Sequence, residues 1–350
     1  MSFLRYILLP VQFIYSIIII FRNSLYNYNI FTIYKANSYV ISVGNLKTGG
    51  TGKTPLTEYI IRLFNEKKVA ILSRGYKRKT SGFILATKQK NSARHIGDEN
   101  SQLYNKFENI IIGCAENRVD GVQKLLKKHN DINVVILDDA YQHRSLHRDL
   151  NILLTEFNDM FTEDQLIPIG NLREHKKEKK RADIIIITKC PNQIAEHTIQ
   201  KVKEKIKPTN NQKLYFSFIK NYFFLNMHTL KKCDINKVKT HILITGIQSS
   251  QELLQFLENE KIQIKHCEFR DHYNFTQFDI DYIIQLKNSQ DYSDQLLLTE
   301  KDYYRLSEKH KYELNKYFLL ICVQINIDFI NKDKSNFNNQ LLNFENYQTN

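Results

Sequence analysis

Residues 42–55, SVGNLKTGGTGKTP, combine the parts that hold a polyphosphate. Gly49, Gly50 and Gly52 let the backbone bend and turn its N–H groups inward, while Lys53 supplies a cation for the β- and γ-phosphates and Thr54 a hydroxyl for magnesium. Thr48 and Thr51 complete the loop. Such a cradle needs a strand before it and, after it, a helix whose N-terminus faces the anion. YVISVG at 39–44 reads as that strand and PLTEYIIRLF as that helix, with Pro55 suited to a first turn. One position departs from the GxxxxGK[ST] pattern: Lys47 stands where its first glycine is usual.

A phosphate cradle does not name a reaction, so the other strand ends matter. NVVILDDAYQHR delivers two carboxylates, Asp138 and Asp139, where a buried strand ends, the place from which a P-loop enzyme holds magnesium. Gln142, His143 and Arg144 follow directly. Paired acids in this position also serve as helix caps, and only their conjunction with the GKT loop favours the metal. The acids of ARHIGDEN, Asp98 and Glu99, read from residue type alone as an acidic loop, and His272 of FRDHYNF as a lone histidine. NLREHKKEKKRADI, residues 171–184, has the alternating charge of a solvated helix face, and TEKD at 299–302 has no evident role.

These groups need a scaffold. Beyond residue 38, short continuous runs of β-branched residues alternate with polar helix-like stretches, as in a parallel sheet covered on both faces. Strands are expected at 39–44, 69–74, 109–113, 133–139, 151–155 and 183–189, forming a P-loop domain over 31–207. Pro208 and TNNQ read as a linker to a smaller α/β domain over 208–332, with apolar runs at 241–247, 294–302 and 317–325. The asparagine-rich end, 333–350, is expected to be a frayed tail. At the other end, YILLPVQFIYSIIIIF (6–21) is apolar between Arg5 and Arg22 but short of the roughly 20 residues of a span. Residues 1–30 are therefore expected to form a membrane-interfacial helix, with a buried core helix as the competing reading.

The 350 residues carry 50 Lys and Arg against 37 Asp and Glu, a net charge of +13 that suits an anionic partner without choosing one. Richness in lysine, asparagine and isoleucine fits AT-rich coding and weakens that inference. No finger, helix-turn-helix or ribonucleoprotein signature supports nucleic acid. Five scattered cysteines, an odd number with no CxxC pair, suit a reducing compartment and form no zinc or disulfide framework.

Taken in order, VGNLKTGGTGKTP, LSRGY, GDE, LDDAYQHR, GNLRE, RAD and DHYNF resemble the tetraacyldisaccharide 4'-kinase family, the lipid A kinases of Gram-negative bacteria. The resemblance runs from the N-terminal helix to about residue 325, with two departures: Ala140-Tyr141 where the family commonly has Gly-Phe, and Asn100 where it has proline. It implies transfer of the γ-phosphate of ATP, with Mg2+, to the 4'-hydroxyl of a tetraacyldisaccharide 1-phosphate at the cytoplasmic face of the inner membrane. It further implies Asp98 as general base, His272 reaching across from the second domain to orient it, a mobile hinge between the domains, and supporting roles for Glu99, Gln142, His143, Arg173 and Glu174. A membrane-associated partitioning ATPase is the competing class, but its loop places lysine directly before the paired glycines, where this chain has Thr48. A GTPase would need NKxD, and ITKCP lacks its aspartate.

Overall fold

The computed structural model describes residues 7–343. Among these residues thirteen strands run in chain order as β1 (Tyr39–Asn45), β2 (Val69–Ser73), β3 (Ile84–Leu85), β4 (Ile110–Cys114), β5 (Val134–Asp138), β6 (Leu150–Glu156), β7 (Ile184–Cys190), β8 (Lys213–Asn226), β9 (Lys231–Lys232), β10 (His241–Thr245), β11 (Ile264–Glu268), β12 (Gln295–Thr299) and β13 (Leu319–Phe329). They make one sheet in the order β11-β10-β12-β13-β8-β7-β6-β1-β5-β2-β4-β3, with β9 beside β8. The all-apolar runs are its middle: every residue of β1, β2 and β5 is buried, as a parallel sheet covered on both faces demands.

The sheet does not break at the linker expected after residue 207. β8 starts as a parallel neighbour of β7, pairing Lys213–Phe216 with Ile184–Ile187, and then runs on through Asn226 beyond β7's end. At 3.3 Å per residue the stretch past Phe218 carries the chain about 26 Å beyond the first half of the sheet. There β13 returns antiparallel to it, from Ile321 opposite Asn226 to Phe329 opposite Ser217. β12 and β10 lie parallel to β13, so their C-terminal ends point back toward the C-terminal ends of β1 and β5. Two sets of strand ends therefore face each other across a gap floored by β8 and β13.

The tail is a correction. Asp333–Leu342 forms a helix, and Phe337 and Leu341 are fully buried in the core beneath the glycine loop, packing with Tyr215, Phe329 and Tyr59. Each such side chain contributes roughly 1.5–3 kcal/mol, enough to outweigh fraying of a polar sequence. Residues 344–350 of that expectation lie outside the described residues, as do 1–6 of the N-terminal segment.

The N-terminal helix, Leu9–Asn27, is not a core helix. Phe13, Ile14, Ile17, Ile18 and Phe21 are exposed, Phe13 by 67%. Its polar side docks instead: Gln12 donates to the Leu166 carbonyl, Tyr15 to that of Arg173, and Asn23 to the buried Glu174 carboxylate at 3.0 Å. Arg22 donates to the Gln142 carbonyl at 2.8 Å. One face binds the protein through hydrogen bonds and the other presents a row of isoleucine and phenylalanine outward.

Candidate functional site

β1 ends at Asn45, and the helix Lys53–Leu63 begins after the loop, as the spacing predicts. Gly49 (φ 123°) and Gly52 (φ 82°) occupy backbone conformations that a side chain would strain. Thr51 is tied in at both ends: its hydroxyl accepts from Asn45 Nδ2 at 2.9 Å and its carbonyl from the Thr188 hydroxyl. Thr48 N donates to the Asn171 carbonyl at 2.8 Å. Lys47, the departure from the pattern, pairs with Asp159 and with Asp164 at 2.9 Å, so an ion pair fixes the loop where a glycine would leave it free. Lys53 Nζ lies 3.4 Å from the Gly49 carbonyl and 3.8 Å from Asp139. Gly50 N, one of the inward donors, gives its hydrogen to Oε1 of Gln248, which reaches over from the turn after β10. A side-chain oxygen thus occupies a position suited to a phosphate oxygen.

β5 lies next to β1 with Val43 beside Asp138, which puts both acids against the glycine loop. They differ in surroundings. Asp138 is buried, and its Oδ1 has no hydrogen-bond partner among the described residues; burial and the nearby Glu99 charge push its pKa up to about 7. An orphaned, destabilised carboxylate lining the same cavity as Thr54 is what a hard divalent cation relieves, so the residues fit magnesium there. Asp139 has both oxygens on Arg173 Nη1, at 2.8 and 2.9 Å. Burial alone would raise its pKa, but Lys53 and Arg173 hold it below the usual carboxylate range. Asp139 itself takes the left-handed conformation (φ 48°) while Ala140 does not, which is why alanine serves in place of glycine.

Around these acids, Gln142 donates to the Asn45 carbonyl at 2.9 Å, and His143 lines the same cavity with its pKa depressed to about 4 by burial and by Arg118. Glu174 is fully buried and ion-paired with Arg181, so it anchors the N-terminal helix. Of the lysines at 176–180, Lys179 caps the carbonyls of Ile206 and Lys207.

Asp98 and His272 meet, although 174 positions separate them, with His272 Nδ1 2.8 Å from Asp98 Oδ2. His272 (φ 56°) is held by its own N–H to the Gly246 carbonyl and by the Tyr76 ring 4.7 Å away. Asp98 starts the helix Asp98–Lys106 and is 5% exposed; burial would raise its pKa, but His272, Arg305 and Lys301 hold it well below the carboxylate range. Beside it, Glu99 accepts from Thr54 Oγ1 at 3.3 Å and from Lys301 at 2.5 Å, linking the cradle to the opposite half. The cavity between the halves measures about 1060 Å³, and Lys53, Asp138, Glu99, His272, Lys301 and Gln248 reach its wall.

Gln248, Lys301 and Arg305 escape a reading of the sequence alone. The signal for two of them was TEKD: Thr299 caps the helix Glu300–Arg305, Glu300 enters a buried network, Lys301 meets Glu99, and Asp302 binds the Gly246 N–H. Asn100, the other departure, donates from a buried site to Ser73 and to the Ile96 carbonyl.

The model of the family described as tetraacyldisaccharide-1-P 4'-kinase matches residues 4–345. The tetraacyldisaccharide 4'-kinase of Flavobacterium psychrophilum is 39% identical over 98% of both chains, and that of Bacteroides fragilis 35% identical over 96% of this chain and 92% of its own. The crystal structure of LpxK from Aquifex aeolicus in complex with ATP is similar with a TM-score of 0.75 at 31% identity, covering 97% of this chain and 98% of that one. With the α/β fold, the glycine loop and the motif residues gathered at one cavity, these matches place the chain in the tetraacyldisaccharide 4'-kinase family.

Proposed function

We propose that the two halves of the cavity divide the work of one phosphoryl transfer. The reaction is the family's: ATP-dependent phosphorylation of the 4'-hydroxyl of a tetraacyldisaccharide 1-phosphate, forming lipid IVA. On the β1–β5 side, the N–H groups of residues 48–54 and Lys53 would cradle the ATP phosphates, with Asp138 and Thr54 holding Mg2+. The ion would neutralise charge that builds between the phosphates during transfer. Asp139 acts in this reading through Lys53 and Arg173, whose charges it sets in place.

On the opposite side, Asp98 and His272 form the unit that draws the proton from the sugar hydroxyl, Asp98 as the base and His272 as its orienting partner at the cavity wall. The 2.8 Å contact between them supports this reading most directly. Positioning dominates such reactions, so a fixed carboxylate–imidazole pair is well matched to the task. The outward face of the N-terminal helix would rest on the cytoplasmic leaflet of the inner membrane as a peripheral or monotopic anchor, bringing the lipid's sugar to the cavity.

The test is a double-mutant cycle with labelled ATP and lipid substrate in mixed micelles. Asp98→Ala and His272→Ala should each lower kcat far more than they weaken ATP binding, and the pair should cost much less than their sum. Strict additivity in log kcat, with all three variants folded, would separate the two residues.

A further inference from the structure

We propose that Arg305, supported by Lys301 one turn earlier on the same helix, is a positioning residue of the transfer reaction that clamps the Asp98 carboxylate against His272. This rests on Asp98 and His272 being the proton-accepting unit.

Arg305 stands at the end of the helix Glu300–Arg305 with 4% of its side chain exposed, and it does not reach the cavity wall. All three guanidinium nitrogens are engaged. Nη1 donates to the Gly246 carbonyl and to Asp302 Oδ1 at 2.9 Å, which ties the fork to the turn after β10. Nε and Nη2 both point at Asp98 Oδ2, at 2.8 and 2.7 Å. That oxygen also takes His272 Nδ1, while Oδ1 accepts the Glu99 N–H at 3.0 Å, so the carboxylate is fixed at both ends. Asp302 is fully buried and binds the Gly246 N–H through its other oxygen, so Arg305 is itself held rigidly. A residue needed only to hold its own turn would be satisfied by Asp302 and Gly246. Arg305 instead spends two nitrogens on the acid of the reaction, a geometry that a lysine ammonium cannot copy.

Charge points the same way. The ionisable groups facing Asp98 are His272, Arg305, Lys301, Glu99 and Asp271, the last lying 4.0 Å from Arg305 and 3.8 Å from His272. Arg305 is the permanent cation nearest the carboxylate, so removing it favours protonation of the whole unit.

The test is the pH dependence of kcat/KM in mixed micelles for the full chain and for Arg305→Gln, Arg305→Lys, Lys301→Met and Asp98→Asn, with ATP affinity measured separately. Arg305→Gln should lower kcat by about tenfold or more, as loss of a charged hydrogen bond does. It should also move the acid limb upward by about one pH unit, the scale on which a neighbouring arginine acts on an aspartate. Arg305→Lys should return the limb most of the way and recover part of kcat, with ATP affinity unchanged in both Arg305 variants. A rate lowered equally at every pH, or a lysine variant no better than glutamine, would reduce Arg305 to a structural residue and overturn the proposal. Should Arg305→Gln fail to fold, Lys301→Met decides: it removes a cation without touching the fork, and an unmoved acid limb overturns the proposal. Wild-type kcat in Asp98→Asn would refute the dyad itself, wherever the limb of the Arg305 variants lies.

Discussion

Glu300→Gln should stabilise this protein most at alkaline pH and progressively less as the pH falls toward 4.5. Two acids, Glu58 on the helix after the glycine loop and Glu300 after β12, share the single ammonium of Lys106, which lies 2.8 Å from each. Gln102 and Gln324 donate to Glu300 as well, but both are neutral. Burial, and then the Glu58 charge, push the pKa of Glu300 up to about 7 from its ordinary 4.5. Between those values the folded protein keeps a proton that the unfolded chain has released, so stability falls as pH rises through that window. The loss reaches about 3 kcal/mol once both states are ionised, at 1.36 kcal/mol per unit. An unfolding entropy of about 2.1 cal/mol/K for each of the 350 residues converts that to a Tm difference of about 4 °C. Thermal melts of wild type and Glu300→Gln at about pH 5.5 and 8.5 measure it, the glutamine retaining a carbonyl for Lys106 and Gln324. The variant should melt about 4 °C higher than wild type at 8.5 but only about 2 °C higher at 5.5, where the wild-type penalty is only partly developed. A gap between the two proteins that is the same at both pH values would refute the electrostatic account of this cluster.

Three further outcomes follow from the site. Lys53→Ala should lower transfer by about 10²–10³-fold, as loss of one preorganised cationic or hydrogen-bond group does, with an unchanged melting curve; a near-normal kinase rate would remove the cradle assignment. Gln248→Ala frees the Gly50 N–H from a competitor, so calorimetry should find ATP binding tighter by up to about tenfold, the worth of one hydrogen bond, and weaker binding would show that Gln248 aids the nucleotide. Deleting residues 1–21 removes the exposed Phe13–Phe21 face but leaves Arg22 and Asn23 on their partners; vesicle binding should drop and KM for micellar lipid rise, whereas loss of ATP binding would mean the helix builds the core.

The first half of the fold was legible because its signals are local. Unbroken β-branched runs mark buried parallel strands, and GKT and DD mark two adjacent strand ends; β1, β2 and β4 to β7 fall where those runs lie. What was illegible depends on partners far along the chain. β11, with the exposed alternation of an edge strand, has no apolar run to announce it. Asn-rich 333–342 looks disordered in composition, yet two apolar residues four apart suffice once Tyr215 and Phe329 offer a surface. TEKD marks the helix that carries Lys301 and Arg305, but only the fold brings these two to Glu99 and Asp98. The resemblance named the Asp98–His272 partnership, and the contact between them is present.

The linker expected at Pro208 leads not into a new sheet but into a strand shared by both halves, and this bears on mechanism. A linker is inferred from proline and polar residues, but whether a strand following it joins the old sheet or starts a new one depends on its length and pairing. β8 does both: its first residues extend the β7 side, and its last ones, with β13, found the second half. Because β13 runs antiparallel, the strands beside it aim their C-terminal ends back at the cradle, and His272, Gln248 and the TEKD helix all hang from those ends. Parallel strands place ligands at their C-terminal edge, and here two such edges confront each other over one cavity. Closing that cavity must bend or twist β8 and β13, the two strands common to both halves, where the pairing shifts register between Asn326 and Ile327. Of the side-chain links between the halves, Lys301 to Glu99 and Arg305 with His272 to Asp98 end on the first residues of one helix, while Gln248 meets Gly50 and Glu300 meets Gln102 and Lys106. The second half is thereby tied to both acids at the helix start, and Glu99 in turn accepts from the Thr54 hydroxyl of the glycine loop, so one helix start joins the two edges of the cavity.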